Sequence, residues 1–200
     1  MKLLNLEQGS ELWLEYRKTR ITATDMPIIM RIGYKTPQEL LSEKTGIKQP
    51  DVPTDCMKRG IELEPMAREC FCKDISELHY AGQVVDFNPI VIEHDNGWLM
   101  ASIDGYCNQH HVAVEIKCGE KSYEKALKQD IPDYYQVQMQ VQMEVLDMDE
   151  MFYYAFNGET GIVLKVQRKQ SVINECLRRG KQFWDLLLHP WDFNMSYEVI

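Results

Sequence analysis

The chain has 200 residues, 44% hydrophobic and 26% charged, a balance that suits a globular fold with enough length to bury a core. Its 31 acidic and 22 basic side chains leave a net charge of −9, which argues against broad, non-specific binding of nucleic acid over the whole surface. No apolar run approaches the roughly 20 residues of a membrane span, and the start MKLLNLEQGSEL is too short in its apolar part for an export signal. The expectation is one domain, 1–200, in the cytosol with no membrane contact.

Six cysteines (56, 70, 72, 107, 118 and 176) are expected to be reduced thiols in that compartment. Their spacings give no pair of the CxxC type used by zinc sites. Basic residues concentrate at Arg17, Lys18 and Arg20 and again at Arg168, Lys169, Arg178, Arg179 and Lys181, so charge is unevenly spread.

Taken in order, the chain opens with a helix predicted over 10–19, capped by Ser10, with Leu12, Trp13 and Tyr16 as its apolar stripe. A second, short helix is expected to start near Thr24 or Asp25 with Thr24 as its cap. Its free N–H groups and dipole suit a phosphate, and a plain capped turn is the simpler alternative. Thr36-Pro37 opens a third helix that Gly46 ends, burying Leu40 and Leu41. The stretch GIKQPDVPTD, 46–55, is the expected loop.

A long helix is predicted over 54–74, with Gly60 and Pro65 weakening its middle. Glu64 and Arg68 stand four apart on it, as in a surface ion pair. Strands follow over 81–87 and 90–93, then a helix over 120–129. Pro132 starts another helix that runs to Leu146. Its Tyr135, Gln138 and Gln142 share a face, either a partly solvated side or part of a site. Strands over 151–156 and 161–166 flank the turn signal Asn157-Gly158. The helix over 171–188 closes the order with Val172, Cys176, Phe183, Trp184 and Leu187 as core candidates. This order implies an α/β or α+β fold with one central mixed sheet flanked by helices.

The stretch GWLMASIDGYCNQHHVAVEIKC, 97–118, carries the chemistry. It reads as two strands joined by a polar turn centred near Gln109–His110. Asp104, Glu115 and Lys117 interrupt otherwise apolar runs, and a charge in such a run is costly unless paired or bound to a metal. Glu115 and Lys117 are two apart and share a face. The assumed register sets Asp104 across from Glu115, with Cβ atoms roughly 4.5–5.5 Å apart. Two acids so close need a cation between them, and magnesium accepts one or two protein carboxylates. A solvated E-x-K face is the plainer alternative.

These pieces, in this order, resemble the lambda-exonuclease or YqaJ-type viral recombinase nucleases of the PD-(D/E)XK superfamily. Arg17 with Ile21-Thr22-Ala23-Thr24 is similar to the family's Arg…Ile-Thr-Ala-Ser, with Thr24 keeping the hydroxyl. Arg59-Gly60…Glu64…Ala67-Arg68 is similar to its Gly…Glu…Ala-Arg helix. Ser102-Ile103-Asp104-Gly105 is similar to Ser-x-Asp-Gly, with Ile103 where Pro is frequent. Glu115-Ile116-Lys117-Cys118 matches Glu-Leu-Lys-Cys, and Tyr135-x-x-Gln138-x-Gln140 matches Tyr-x-x-Gln-x-Gln.

The resemblance implies a restriction-endonuclease-like core and magnesium-dependent phosphodiester hydrolysis, with manganese able to substitute. Asp104, Glu115 and the Ile116 carbonyl would bind one or two ions, with Glu64 contributing directly or through water. Lys117 would orient or deprotonate the attacking water. Gln138 and Tyr135 would position Lys117 or the substrate, and Arg17 and Thr24 would hold a 5′-phosphate. The implied activity is 5′→3′ digestion of linear duplex DNA, leaving 3′ single strands for an annealing protein. A homotrimeric ring with a basic channel is implied as well. Two rival readings remain: another nuclease of the superfamily (a structure-specific endonuclease or a 3′-end repair nuclease), and a non-catalytic nucleic-acid-binding protein on the same fold.

Overall fold

The computed structural model describes residues 1–80 and 82–189. Its core is one seven-stranded mixed sheet with helices on both faces. In chain order the elements are β1 (Lys2–Leu4), α1 (Glu11–Lys18), β2 (Ile21–Thr22), α2 (Met26–Ile29), α3 (Pro37–Lys44), α4 (Asp55–His79) and β3 (Asn88–Glu93). Then come β4 (Leu99–Cys107), β5 (Val112–Cys118), α5 (Glu120–Leu127), α6 (Asp133–Leu146), β6 (Glu150–Phe156), β7 (Gly161–Gln167) and α7 (Gln170–Leu188). Six strands pair in the order β1-β3-β4-β5-β6-β7, antiparallel except for the parallel β5–β6 step. The short β2 pairs in parallel with the start of β4.

Strand β6 shows why the sheet is covered twice. Its run EMFYYAF is apolar on both faces, as a doubly buried strand requires. Met151, Tyr153 and Ala155 join the core under α2, α6 and α7. Phe152, Tyr154 and Phe156 join Ala67, Phe71 and Ile75 of α4 on the opposite face.

The region around Asp104 is a fork. One edge of β4 pairs first with β2, through Leu99 and Met100, and later with β5, through Gly105, Tyr106 and Cys107. Between those stretches β4 has a gap along that edge. On its other edge Ile90 faces Ile103 and Asn88 faces Tyr106, so Asp104 and Gly105 together span the single residue Pro89. Such a bulge redirects a side chain out of strict alternation. Gly105 is required here, because a Cβ would lie 2.8 Å from Cγ1 of Val114 and 3.1 Å from Cβ of Phe87. Gly105→Ala should cost about 1–3 kcal/mol by overpacking, read as a lower urea midpoint.

Several expectations are corrected. No strand forms over residues 83–87, and Ala81 lies outside the described residues. Val85 and Phe87 do face the core, but they pack under α4 without a strand partner. The short β1 and β2 were not anticipated, having too few residues to show a period. Leu12 is 73% exposed and no residue of α1 is buried, so the expected stripe is reduced to half-buried Trp13 and Tyr16. Helix α4 passes Pro65 unbroken and ends five residues later than expected, at His79. Pro65 is exposed, so its missing N–H falls on the solvent side. Asp25, not Thr24, occupies the cap position of α2.

All six cysteines are free thiols. Among the described residues no helix is long and apolar enough to cross a membrane.

Candidate active site

The β4–β5 hairpin has the expected register: Gly105 faces Val114, Tyr106 faces Ala113 and Cys107 faces Val112. The ladder stops one pair short of Asp104 and Glu115. Instead, Oδ2 of Asp104 accepts a hydrogen bond from the Ile116 N–H at 2.8 Å. The carboxylate therefore ties the parting strands together and sits beside the Ile116 peptide. Arg68 of α4 donates from Nε to the Asp104 carbonyl at 2.5 Å and from Nη2 to Oε1 of Glu64 at 2.5 Å. Helix α4 thus delivers Glu64 to the site with its charge paired.

Glu115 is 1% exposed, and its carboxylate is held by three donors. Oε1 accepts from Nε2 of Gln138 at 2.6 Å and from Nζ of Lys117. Oε2 accepts from Nε2 of Gln142 at 2.5 Å. The Lys117 ammonium also lies 4.9 Å from the centre of the Tyr135 ring, a cation–π distance. Gln138, Gln142 and Tyr135 share one face of α6, which is turned to the Glu115 carboxylate and the Lys117 ammonium and not to solvent.

The electrostatics follow from crowding charge in a buried place. Burial, and then the neighbouring Glu115, push the Asp104 carboxyl well above its ordinary range, while Lys117 opposes them. Burial also raises Glu64, against Arg68 and Lys117. For Lys117, burial works against the ammonium, but Glu115 and Asp104 outweigh it and raise its pKa. The Cys118 thiol is pushed up to about 12 by burial and the nearby acids, so it is an inert neighbour.

A second cluster lies on the α1–β2–α2 segment. Nη2 of Arg17 donates to Oγ1 of Thr24 at 2.8 Å, and the guanidinium lies 4.3 Å from the centre of the Trp13 ring. Trp13 in turn donates from Nε1 to Oγ of Ser102, two residues before Asp104, at 2.9 Å. Lys44 of α3 closes the cluster from behind. Its Nζ donates to the carbonyls of Arg17 and Arg20 and to Oδ2 of Asp25, each at 2.8 Å.

The named site residues therefore fall in two groups: Asp104, Glu115, Lys117, Glu64, Gln138 and Tyr135 in one, Arg17 and Thr24 in the other. Sequence reasoning placed Gln142 on the right face but gave it no role. Its spacing, one turn beyond Gln138, was the available signal. It took Arg68 as a surface ion pair and as part of the family-like Gly…Glu…Ala-Arg helix, but gave it no contact with the Asp104 carbonyl. Lys44 and Asp25 are far apart in sequence and belong to no shared period.

The donor set suits a hard divalent cation. Two carboxylates and a peptide carbonyl are oxygen ligands, and magnesium is ordinarily held by one or two carboxylates with water completing the shell. Among the described residues no three His, Cys, Asp or Glu side chains are placed to hold an ion together. That leaves Asp104 and Glu115 as the acid pair, with Glu64 turned to Arg68.

The overall fold is similar to that of solved exonucleases. The chain matches the alkaline exonuclease LHK-Exo from Laribacter hongkongensis with a TM-score of 0.75 at 22% identity, covering 92% of this chain and 95% of that one. LHK-Exo in complex with dAMP gives 0.76 at the same identity and coverage. A phage-related exonuclease from Haemophilus somnus gives 0.64 at 14% identity, covering 86% and 96%. At these identities the likeness is one of fold. No curated protein matches the chain. The chain belongs to the YqaJ-like viral recombinase domain family, whose model matches residues 12–149.

Proposed function

We propose that this chain is a magnesium-dependent exonuclease that digests linear duplex DNA from its 5′ ends. It leaves 3′ single strands for an annealing protein in phage-type recombination. The observation that carries the reading is the chain of contacts from Arg17 and Thr24 through Trp13 and Ser102 to the strand of Asp104. A guanidinium and a hydroxyl held together suit a terminal phosphate, and they are mechanically joined to the acid-bearing strand. Product-like binding fits the same picture, since the related LHK-Exo has been seen with dAMP.

Asp104 and Glu115 would hold the ion with the Ile116 carbonyl, and Glu64 would act through water. When bound, the metal polarises the scissile phosphate and makes a coordinated water more acidic. Lys117, held by Glu115, would orient the attacking water and offset charge building on the phosphate. Gln138 fixes Glu115, and Tyr135 covers Lys117. Manganese would serve in place of magnesium. A homotrimeric ring would let a chain of net charge −9 concentrate basic residues along a DNA channel.

The test is digestion of linear duplex labelled at either 5′ or 3′ ends, with and without magnesium, beside closed circular DNA. Loss of the 5′ label first, only with metal and only from linear DNA, is expected. Nicking of circles, or release from 3′ ends first, would overturn the reading. Arg17→Ala should slow digestion of 5′-phosphorylated ends about 10-fold or more, the worth of a charge-assisted hydrogen bond. Ends bearing a 5′-hydroxyl should be slowed much less, and equal slowing of both would remove the phosphate grip.

A further inference from the structure

Gln142 is fully buried on α6, yet it is not a packing residue. Its Nε2 donates both to Oε2 of Glu115 on β5, at 2.5 Å, and to the carbonyl of Ser102 on β4, at 3.1 Å. It therefore spans the fork where the two acid-bearing strands have parted and no longer pair with each other. Its Oε1 finds no hydrogen-bond partner among the described residues. A buried amide carbonyl left so is unfavourable, and a methionine of similar shape would avoid that cost. The position carries an amide at the expense of stability.

The acceptor count on Glu115 shows what the amide does. Each carboxylate oxygen offers about two acceptor positions. Oε1 receives both Gln138 and Lys117, and so is filled. Among the described residues Oε2 receives Gln142 alone, which leaves it one position open. We propose that Gln142 is a positioning residue that locks the rotation of Glu115, so that the carboxylate meets its metal through Oε2 only. The inference rests on the metal-dependent reading above. One-oxygen ligation suits magnesium, which demands tight octahedral geometry, and penalises calcium, which readily takes both oxygens of a carboxylate. Gln142 is thereby a determinant of which cation the site accepts.

The experiment measures magnesium and calcium binding by calorimetry, without DNA, on the wild type, Gln142→Met and Gln140→Met. Gln140 is the control, because it sits on the same helix but binds the Gln167 carbonyl and the Lys169 N–H, away from the acids. Gln142→Met should bind magnesium about 10-fold more weakly, as expected for loss of a group that orients a ligand. Its calcium affinity should fall less or rise, shifting the ratio toward calcium. Gln140→Met should melt lower but keep both affinities, which separates a structural effect from this one. Gln142→Asn keeps an amide too short to span both acceptors, and it should repeat the shift if the methionine variant is unstable. Unchanged magnesium and calcium affinities in the Gln142 variants, with the wild type binding normally, would overturn this inference alone. A wild type that binds neither cation would overturn it together with the metal-dependent reading.

Discussion

Lys117→Ala is expected to cut metal-dependent digestion of linear duplex by about 10²–10⁴-fold, the range for a positioned acid–base group. The fold should survive, because the Glu115 carboxylate keeps both glutamine donors when the ammonium is gone. Burial works against the Lys117 ammonium, but Glu115 and Asp104 outweigh it and raise its pKa. A side chain held in its charged form would serve as a donor and a charge rather than as a base. A cation bound by those acids would weaken the field that keeps the proton on. Lys117→Arg tests which property matters: partial rescue points to charge, whereas activity as low as that of the alanine variant points to proton transfer or to the compact ammonium shape. Single-turnover rates at saturating magnesium are the measurement, and near-wild-type rates for Lys117→Ala would remove Lys117 from the reaction.

Asp104→Asn is the companion variant. An amide oxygen can still accept from the Ile116 N–H, so geometry is kept while charge is lost. Activity should fall as far as in Lys117→Ala. Stability should move the other way. The folded pKa of Asp104 is raised by burial and by Glu115, so its ionisation opposes folding. Relative to the protonated state, wild-type stability falls as pH rises through the ordinary carboxylate value of about 3.9 and on toward the raised folded one. The asparagine variant lacks that loss, so without metal its advantage should grow with pH over this window. Urea midpoints measured in chelator across that range test it, and a gap independent of pH would show that Asp104 is not strained by its neighbours.

Much of this was legible in the sequence because it rests on short-range patterns. The β4–β5 register was assumed from where the polar connection is centred; the observed pairs Gly105–Val114 to Cys107–Val112 agree with it, but the ladder ends before Asp104 and Glu115. The two faces of β6 were readable as an apolar run of strand length. The bulge at Asp104 was not readable, since it depends on how β3 pairs with β4 across a distant connection. Nor was the fork, because β2 is two residues long and carries no period of its own. The false strand over 81–87 shows the limit from the other side. The apolar Val85 and Phe87 were a true sign of burial, but burial alone does not make a strand, and over 83–87 they pack on the α4 side of the core instead. Tertiary partners such as Lys44 with Asp25 leave no local trace.

Lys44→Met should have the largest effect on stability, about 3–5 kcal/mol, the usual cost of stripping one partner from a buried ion pair. The Lys44 and Asp25 side chains are only 7% and 10% exposed and meet at 2.8 Å. Their pKa shifts are unequal in kind. Burial disfavours the Asp25 carboxylate, yet Lys44 and Arg17 outweigh it and hold the acid low. For Lys44, burial prevails over Asp25 and lowers the ammonium. The geometry favours the charged pair, because Lys44 spends its remaining hydrogens on the carbonyls of Arg17 and Arg20. Removing it strips Asp25 of its ion-pair partner, leaving the Thr22 N–H and the Arg17 charge, and frees the turn that aims Arg17. Two results should follow. The stability gap to wild type should narrow as pH falls through the carboxylate range: the acid without Lys44 protonates more readily, while the wild type loses the contribution its low Asp25 pKa makes above about 3.9. The preference for 5′-phosphorylated over 5′-hydroxyl ends should fall toward that of Arg17→Ala, although Lys44 touches no phosphate. Asp25→Asn added to Lys44→Met should recover part of the stability by removing the charge left without Lys44, but not the end preference. A double variant that restored both would show that Lys44 merely stabilises the fold, and that the Arg17 turn holds its shape without it.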